Sequence, residues 1–252
     1  MDRFQLLRKL CRITDGRGLE FGPLASPVVK KAEGTVYYVD YTSTENLRAH
    51  FSVDPNVDVA NLASVDFVLE KGPLREIAAK QAPFDYAIAS HVFEHLPDPI
   101  GWLSELHSLL TPEGVIALAI PDKRYTFDIA RRLTTAGDLL AYHYQKLTRP
   151  SPVQVLDHFL NIRRVDVTKA WETELNPDEL PRMNTDDQAL ELGRRSASGD
   201  YIDTHCTVWT ADQFLSVVQR LKGLGFLPLE IADFHWPARN NLEFLVTMRK
   251  AA

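Results

Sequence analysis

Three groups of residues in this chain have types and spacings that could do chemistry. The first is a pair. Gly22 ends "GLEFG" and Asp40 ends "TVYYVD", and the interval of about 20 residues is the one that divides a glycine turn from a ribose-binding carboxylate. Such an acid accepts hydrogen bonds from both ribose hydroxyls, although Asp40 alone reads equally well as a helix cap or a surface acid. The second group is a set of candidate bases. His205 follows Asp203 by two positions in "DTHCTVW", so an extended chain would put both side chains on one face and let the carboxylate orient the imidazole. His158 in "LDHFL" and Asp122 in "VIALAIPD" are the other candidates. Each has a plainer reading: a core histidine satisfied by backbone groups for His205 and His158, a loop cap for Asp122. The third group is "DKRYTFDIARR", whose Lys123, Arg124, Arg131 and Arg132 suit either an anionic substrate or a solvated helix face. Tyr125, Phe127, Tyr142 and Tyr144 suit stacking on a sugar ring or, more simply, core packing.

Asp122, Asp157, His158, Asp203 and His205 also offer ligands for a divalent ion, but no spacing among them is diagnostic and no metal site is assigned. Of the eight histidines, His95 and His107 read as structural groups of a helix or its entrance, and His50 and His235 carry no signal.

Alternating strands and helices must position these groups. Strands are expected at "RGLEF", "TVYYVDY", weakly within "DVANLASVDFVLE", at the apolar run Tyr86–Ala89 of "FDYAIASHVFEHL" and at "VIALAIPD". Helices are expected at "MDRFQLLRKLCRIT", with a stripe of Phe4, Leu6, Leu7, Leu10 and Ile13, then at "STENLRAHF" and "PLREIAAKQA". "PVVKKAE" suggests a helical turn. The clearest helix is "PIGWLSELHSLLTPEG", striped by Ile100, Leu103, Leu106, Leu109 and Leu110 and stopped at Pro112–Gly114. This alternation predicts an α/β fold with a parallel, doubly wound sheet that binds ligands at the strands' carboxyl ends. From about 130 to 200 the chain turns polar and helical, a helical insertion or lid within one domain spanning 1–252. A capped helix from Thr210 and an antiparallel hairpin of "LPLEIADFHW" and "NLEFLVTMRK" complete the reading.

Composition narrows the function classes. The 252 residues are 45% hydrophobic and 25% charged, enough for one large buried core. A net charge of −6 supplies no general basic field, so nucleic acid is not an expected partner. Cys11 and Cys206, far apart, make neither a disulfide framework nor a four-thiolate zinc site. No run approaches the roughly 18–20 apolar residues of a membrane span, and the N-terminus is too short and charged for a signal peptide. A cytoplasmic setting is the expectation, and a homodimer is allowed.

The expected strand tips carry Glu20–Gly22, Asp40–Tyr41, Asp66 and Ser90–His91. A dinucleotide needs several glycines so that the backbone can approach its pyrophosphate. "FGPLASP" has one glycine backed by Pro23, which disfavours NAD and suits a cofactor without phosphate, S-adenosylmethionine.

At this point the chain resembles the class I S-adenosylmethionine-dependent methyltransferases. "GLEFGP", "YVDY" and "FDYAIASHVFEHLPDPIGWLSELHSLLTPEGVIALAIPDKRYTFD" carry the likeness, over about 16–128 and again from "DTHCTVWTADQFL" to the final hairpin. More narrowly they resemble a bacterial branch with a "LEIGP" loop and a "PDKRFTFD" motif, often associated with glycan assembly. The resemblance implies a Rossmann-like seven-stranded sheet with helices on both faces and an antiparallel last strand. It implies contacts to the cofactor's methionine portion at Glu20, Gly22 and Pro23, to ribose at Asp40 with Tyr41, to adenine at Asp66 and Phe67, and beneath the sulfonium at Ser90 and His91. The expected activity is methyl transfer to a sugar hydroxyl of a glycan or glycosylated metabolite. Its rivals are transfer to nitrogen or oxygen of a small non-sugar metabolite, and a catalytically silent scaffold.

Overall fold

The computed structural model describes residues 3–11, 16–55 and 57–250. The amino-terminal helix α1 (Arg3–Leu10) buries Leu7; Ile13, the last residue of its expected stripe, lies outside the described residues. Strand β1 (Arg17–Phe21) leads to β2 (Thr35–Asp40) through the "PVVKKAE" segment, where the expected helical turn is a single hydrogen-bonded turn closed by the Glu33 amide on the Lys30 carbonyl (2.8 Å). Ser43 caps α2 (Thr44–Phe51) by accepting from the Asn46 amide. Strand β3 is only Phe67–Val68, and α3 only Leu74–Ile77, so both expected segments are much shortened.

Strand β4 (Phe84–Ser90) precedes α4 (Pro99–Leu109), which opens on an Asp98 cap with proline at its first position. Strand β5 (Leu110–Pro121) starts at once: Leu110 pairs with Phe84, so it belongs to the sheet and not to the helical stripe. Helices α5 (Ala136–Gln145), α6 (Pro152–Asn161), α7 (Val167–Glu172) and α8 (Asp186–Ser198) follow. Capping boxes at Thr135, Ser151 and Thr185 start three of them. Helix α9 (Ala211–Gly223), capped by Thr210, leads to β6 (Leu229–His235) and β7 (Glu243–Lys250).

The seven strands lie in the order β3-β2-β1-β4-β5-β7-β6. All pairs are parallel except those of β7, which runs antiparallel to β5 and to β6. Both faces are covered, which is why β4 and β5 read as unbroken apolar runs. In β5, Ile116, Leu118 and Ile120 join the core under α4 and α9, while Ala117 and Ala119 face the cluster of Leu7, Cys11 and Val28. Order reverses between β1 and β4, so their carboxyl ends open a crevice there.

Candidate functional site

Gly22 sits on the β1 side of that crevice. Its φ of +56° is left-handed and favours glycine, and a Cβ there would stand 3.0 Å from Val92 Cγ2, a tight approach that would press on that side chain. Glu20 faces the opposite side of the sheet. Its buried carboxylate accepts the amides of Val28 (2.6 Å) and Val29 (3.0 Å), and burial pushes its pKa up to about 7 against those bonds. Glu20 therefore shapes the loop from behind and does not line the crevice, a correction to the expected cofactor contact; Pro23 is buried beside it and is likewise not a lining residue.

Glu20→Ala leaves two buried amides without an acceptor and is expected to cost about 2–4 kcal/mol in urea unfolding. Because the folded-state pKa is raised, the stability Glu20 contributes is full below the ordinary glutamate range and falls as pH rises through about 7. The variant's deficit should thus be larger at pH 5.5 than at pH 8.

The crevice holds a cavity of about 600 Å³. Gly22 and Leu24 border it from β1, Asp40 and Tyr41 from β2, Leu69 and Glu70 from β3, and His91, Val92 and Trp102 from the β4 side. Asp40 is 9% exposed; burial raises its pKa to about 6, opposed by the Tyr41 and Thr42 amides. Tyr41 stacks on Tyr201 at 5.0 Å and 15°, which closes the rim. Trp102 Nε1 is buried without a hydrogen-bond partner and is the one orphaned donor among the described residues lining this cavity.

Asp66 and Phe67 are elsewhere. Asp66 precedes β3, where it accepts the Tyr38 amide (2.8 Å) and pairs with Lys31 (2.6 Å). Phe67 packs in the core on Tyr37 at 5.4 Å. Because β3 ends at Val68, its tip falls on Leu69 and Glu70, and these replace Asp66 and Phe67 at the cavity wall. Ser90 accepts from Arg3 Nη2 (2.7 Å) and does not line the cavity; its neighbour His91, at φ +53°, does.

A second cavity of about 500 Å³ adjoins the first, and His91 and His95 border both. Tyr125 and Phe127, which follow β5, form one wall; Arg164, Val165 and Met183, from the segment between α6 and α8, form another; His205 forms a third. Tyr142 packs against the core, and Tyr144 is exposed beside Phe226.

Carboxylates hold the histidines at this junction. His91 Nε2 meets Glu243 Oε2 at 2.8 Å, His95 Nδ1 meets Asp203 Oδ1 at 2.9 Å, and His205 Nδ1 meets Asp128 Oδ2 at 2.6 Å. Burial alone would lower the pKa of His91 and of His95, but the hydrogen-bonded carboxylates outweigh it and raise each to about 9. His205 is thus oriented by an aspartate as expected, but by Asp128; Asp203 serves His95 instead. Burial pushes the Asp128 carboxyl upward, and His205 with Arg131 overcomes it and holds the group low.

Arg131 fixes this arrangement. It is 2% exposed and bridges Asp128 (2.7 Å), Asp157 (2.8 Å) and the His205 carbonyl (2.8 Å), so it is neither a solvated residue nor a substrate ligand. Arg132 pairs with Asp138, Arg124 with Asp122, and Lys123 donates to the Arg131 carbonyl.

Two candidate bases are corrected. Asp122 is 0% exposed and accepts from Arg124 Nη2 (2.7 Å), Arg124 Nε (2.9 Å) and the Ala211 amide (3.0 Å), tying β5 to α9. His158 lines neither cavity; its Nδ1 lies 3.3 Å from Arg131 Nη1, and burial, then Arg131, pushes its pKa down to about 3. Of the residues that shape the site, Glu94, Asp128 and Trp102 were not singled out beforehand, and His95 was read as structural. The "HVFEH" spacing was the available signal for Glu94 and His95, since i, i+3 and i+4 cluster on one turn.

A family model described as a methyltransferase domain matches residues 4–222. No curated protein matches the chain significantly. Among solved structures, a Rhodobacter sphaeroides chain described provisionally as a Zn-dependent alcohol dehydrogenase shares 14% identity at a TM-score of 0.52, over 100% of this chain and 91% of that one. The CcbJ methyltransferase of Streptomyces caelestis shares 14% identity over 99% and 89% of the two chains, at 0.49. An S-adenosylmethionine-dependent methyltransferase of Mesorhizobium loti shares 13% over 98% and 96%, at 0.47.

Proposed function

Since the chain belongs to the methyltransferase-domain family, and is an S-adenosylmethionine-dependent methyltransferase, we propose that it methylates a hydroxyl oxygen of a sugar in a glycan or glycosylated metabolite. The observation that carries this reading is the pair of cavities meeting at His91 and His95. The larger one fits the cofactor: Gly22 leaves a cradle that a Cβ would fill, Asp40 offers a carboxylate at the second strand tip, and Trp102 offers an unpartnered donor. When bound, S-adenosylmethionine supplies a methyl group already activated on a positive sulfur.

Asp40 receives the ribose hydroxyls, and the turn at Gly22 passes the methionine end. The second cavity takes the acceptor. Phe127 and Tyr125, the latter stacked on Trp171 at 4.1 Å, give it aromatic walls, and Arg164 borders it without an ion-pair partner among the described residues, features that suit a polyhydroxylated, oxygen-rich substrate. In the metal-free protein, Nε2 of His205 takes up the acceptor proton, and Asp128 stabilises the resulting imidazolium. The rest of the catalysis is alignment across the junction. The helical segment at about 130–200 serves as the substrate-binding lid, through Arg164, Val165 and Met183.

A panel of sugar alcohols, nucleotide sugars, amines and catechols with methyl-labelled cofactor tests the assignment. Label should enter a sugar-bearing acceptor; label entering only amines or non-sugar phenols overturns the sugar reading.

A further inference from the structure

We propose that Glu94, His95 and His205 bind one divalent transition-metal ion of the zinc type at the junction of the two cavities. Glu94 is 0% exposed, and neither of its carboxylate oxygens has a hydrogen-bond partner. So deeply buried a carboxylate is costly without positive charge beside it, and what surrounds it is imidazole nitrogen, His91 Nδ1 at 3.4 Å from Oε1 included. Its Oε1 lies 4.0 Å from His95 Nε2 and 4.0 Å from His205 Nε2. The three ligand atoms all lie within 4.8 Å of one another.

The outer nitrogens give the arrangement its meaning. A carboxylate only accepts, so the Nδ1 atoms of His95 and His205, held by Asp203 and Asp128, carry hydrogens. The Nε2 atoms of both rings then face the Glu94 oxygen, and an ion bound there takes the place of any proton on them. A carboxylate on the far nitrogen is the usual way proteins fix the tautomer and aim of a metal-binding histidine. Bonds of about 2.0–2.2 Å to a shared ion set its ligand atoms roughly 3–4 Å apart, so the group closes by about 1 Å at its widest. His91, with Nδ1 at 3.4 Å from Glu94 Oε1 and Nε2 on Glu243, stands by as a further donor.

Two imidazoles and one carboxylate suit zinc and neighbouring first-row ions better than magnesium or calcium. Three protein ligands leave a coordination position that faces the second cavity, the pattern of a catalytic site. The ion's role rests on the reading of that cavity as the acceptor site. There it holds the acceptor oxygen and lowers its pKa, and the hydroxyl proton passes to solvent water while His205 Nε2 stays on the ion.

Cobalt(II) titration of the chelator-stripped full chain is the test, read by visible d–d absorption and zinc displacement, with S-adenosylhomocysteine binding measured in parallel. We expect saturation at one equivalent. Glu94→Gln and His205→Ala should each weaken cobalt binding by more than about 100-fold, and Asp203→Asn, at an outer partner, by about 10-fold. If a ligand variant fails to fold, Asp203→Asn decides, because that side chain is 55% exposed. Absence of ligand-field bands, or the same titration in every variant, overturns the site and leaves a protonated histidine cluster around Glu94. Cobalt binding without S-adenosylhomocysteine binding upholds the metal and overturns the cofactor assignment; the converse upholds the cofactor and overturns the metal.

Discussion

Asp40→Ala is expected to weaken S-adenosylhomocysteine binding by at least about 100-fold in calorimetry. Two hydrogen bonds to a charged acceptor, at about 1.5–3 kcal/mol each, give that order of effect. The acid lies at the second strand tip, nearly buried, on the wall of the larger cavity. Its pKa, lifted to about 6 by burial, adds a pH signature. The ionised form is the stronger acceptor, so wild-type affinity should be level above about pH 7 and decline as pH falls through 6. Asp40→Ala should lack that decline. Undiminished affinity in the variant would remove Asp40 from the cofactor site.

His205→Ala should lower turnover by about 10²–10⁴-fold, the usual worth of a positioned acid–base group, and leave S-adenosylhomocysteine affinity within about twofold. The histidine borders the second cavity and is absent from the lining of the first, which is why the two measurements should separate. A parallel loss of both would assign His205 a structural part, through its contacts to Asp128 and the Arg131 network. The prediction holds whether its Nε2 takes a proton or holds an ion.

The sheet was legible because its strands are buried on both faces. Tyr86–Ala89 and Val115–Ile120 show as apolar runs, and the hairpin of β6 and β7 follows from two strand-like segments joined by the short "PARNN" turn. Gly22 and Asp40 could be read at the correct tips because β1 and β2 are long enough to reveal where they end. At β3 that guide fails. Two residues of strand carry no period, and the tip was placed at Asp66 in place of Leu69 and Glu70.

The junction was harder for another reason. Asp128 meets His205 across 77 positions, and His95 meets Asp203 across 108, so local alternation suggested the wrong carboxylate for His205. Arg131 looked like a surface cation because sequence does not reveal that two acids and a carbonyl wait for it in the interior.

The shared wall of His91 and His95 also bears on the order of events. On the proposed assignment of donor and acceptor to the two cavities that share this wall, the group passes directly between two co-resident molecules and is not parked on the protein. Steady-state velocities measured against both substrates should therefore give intersecting double-reciprocal lines. Parallel lines would mean that a side chain at this wall carries the methyl group itself.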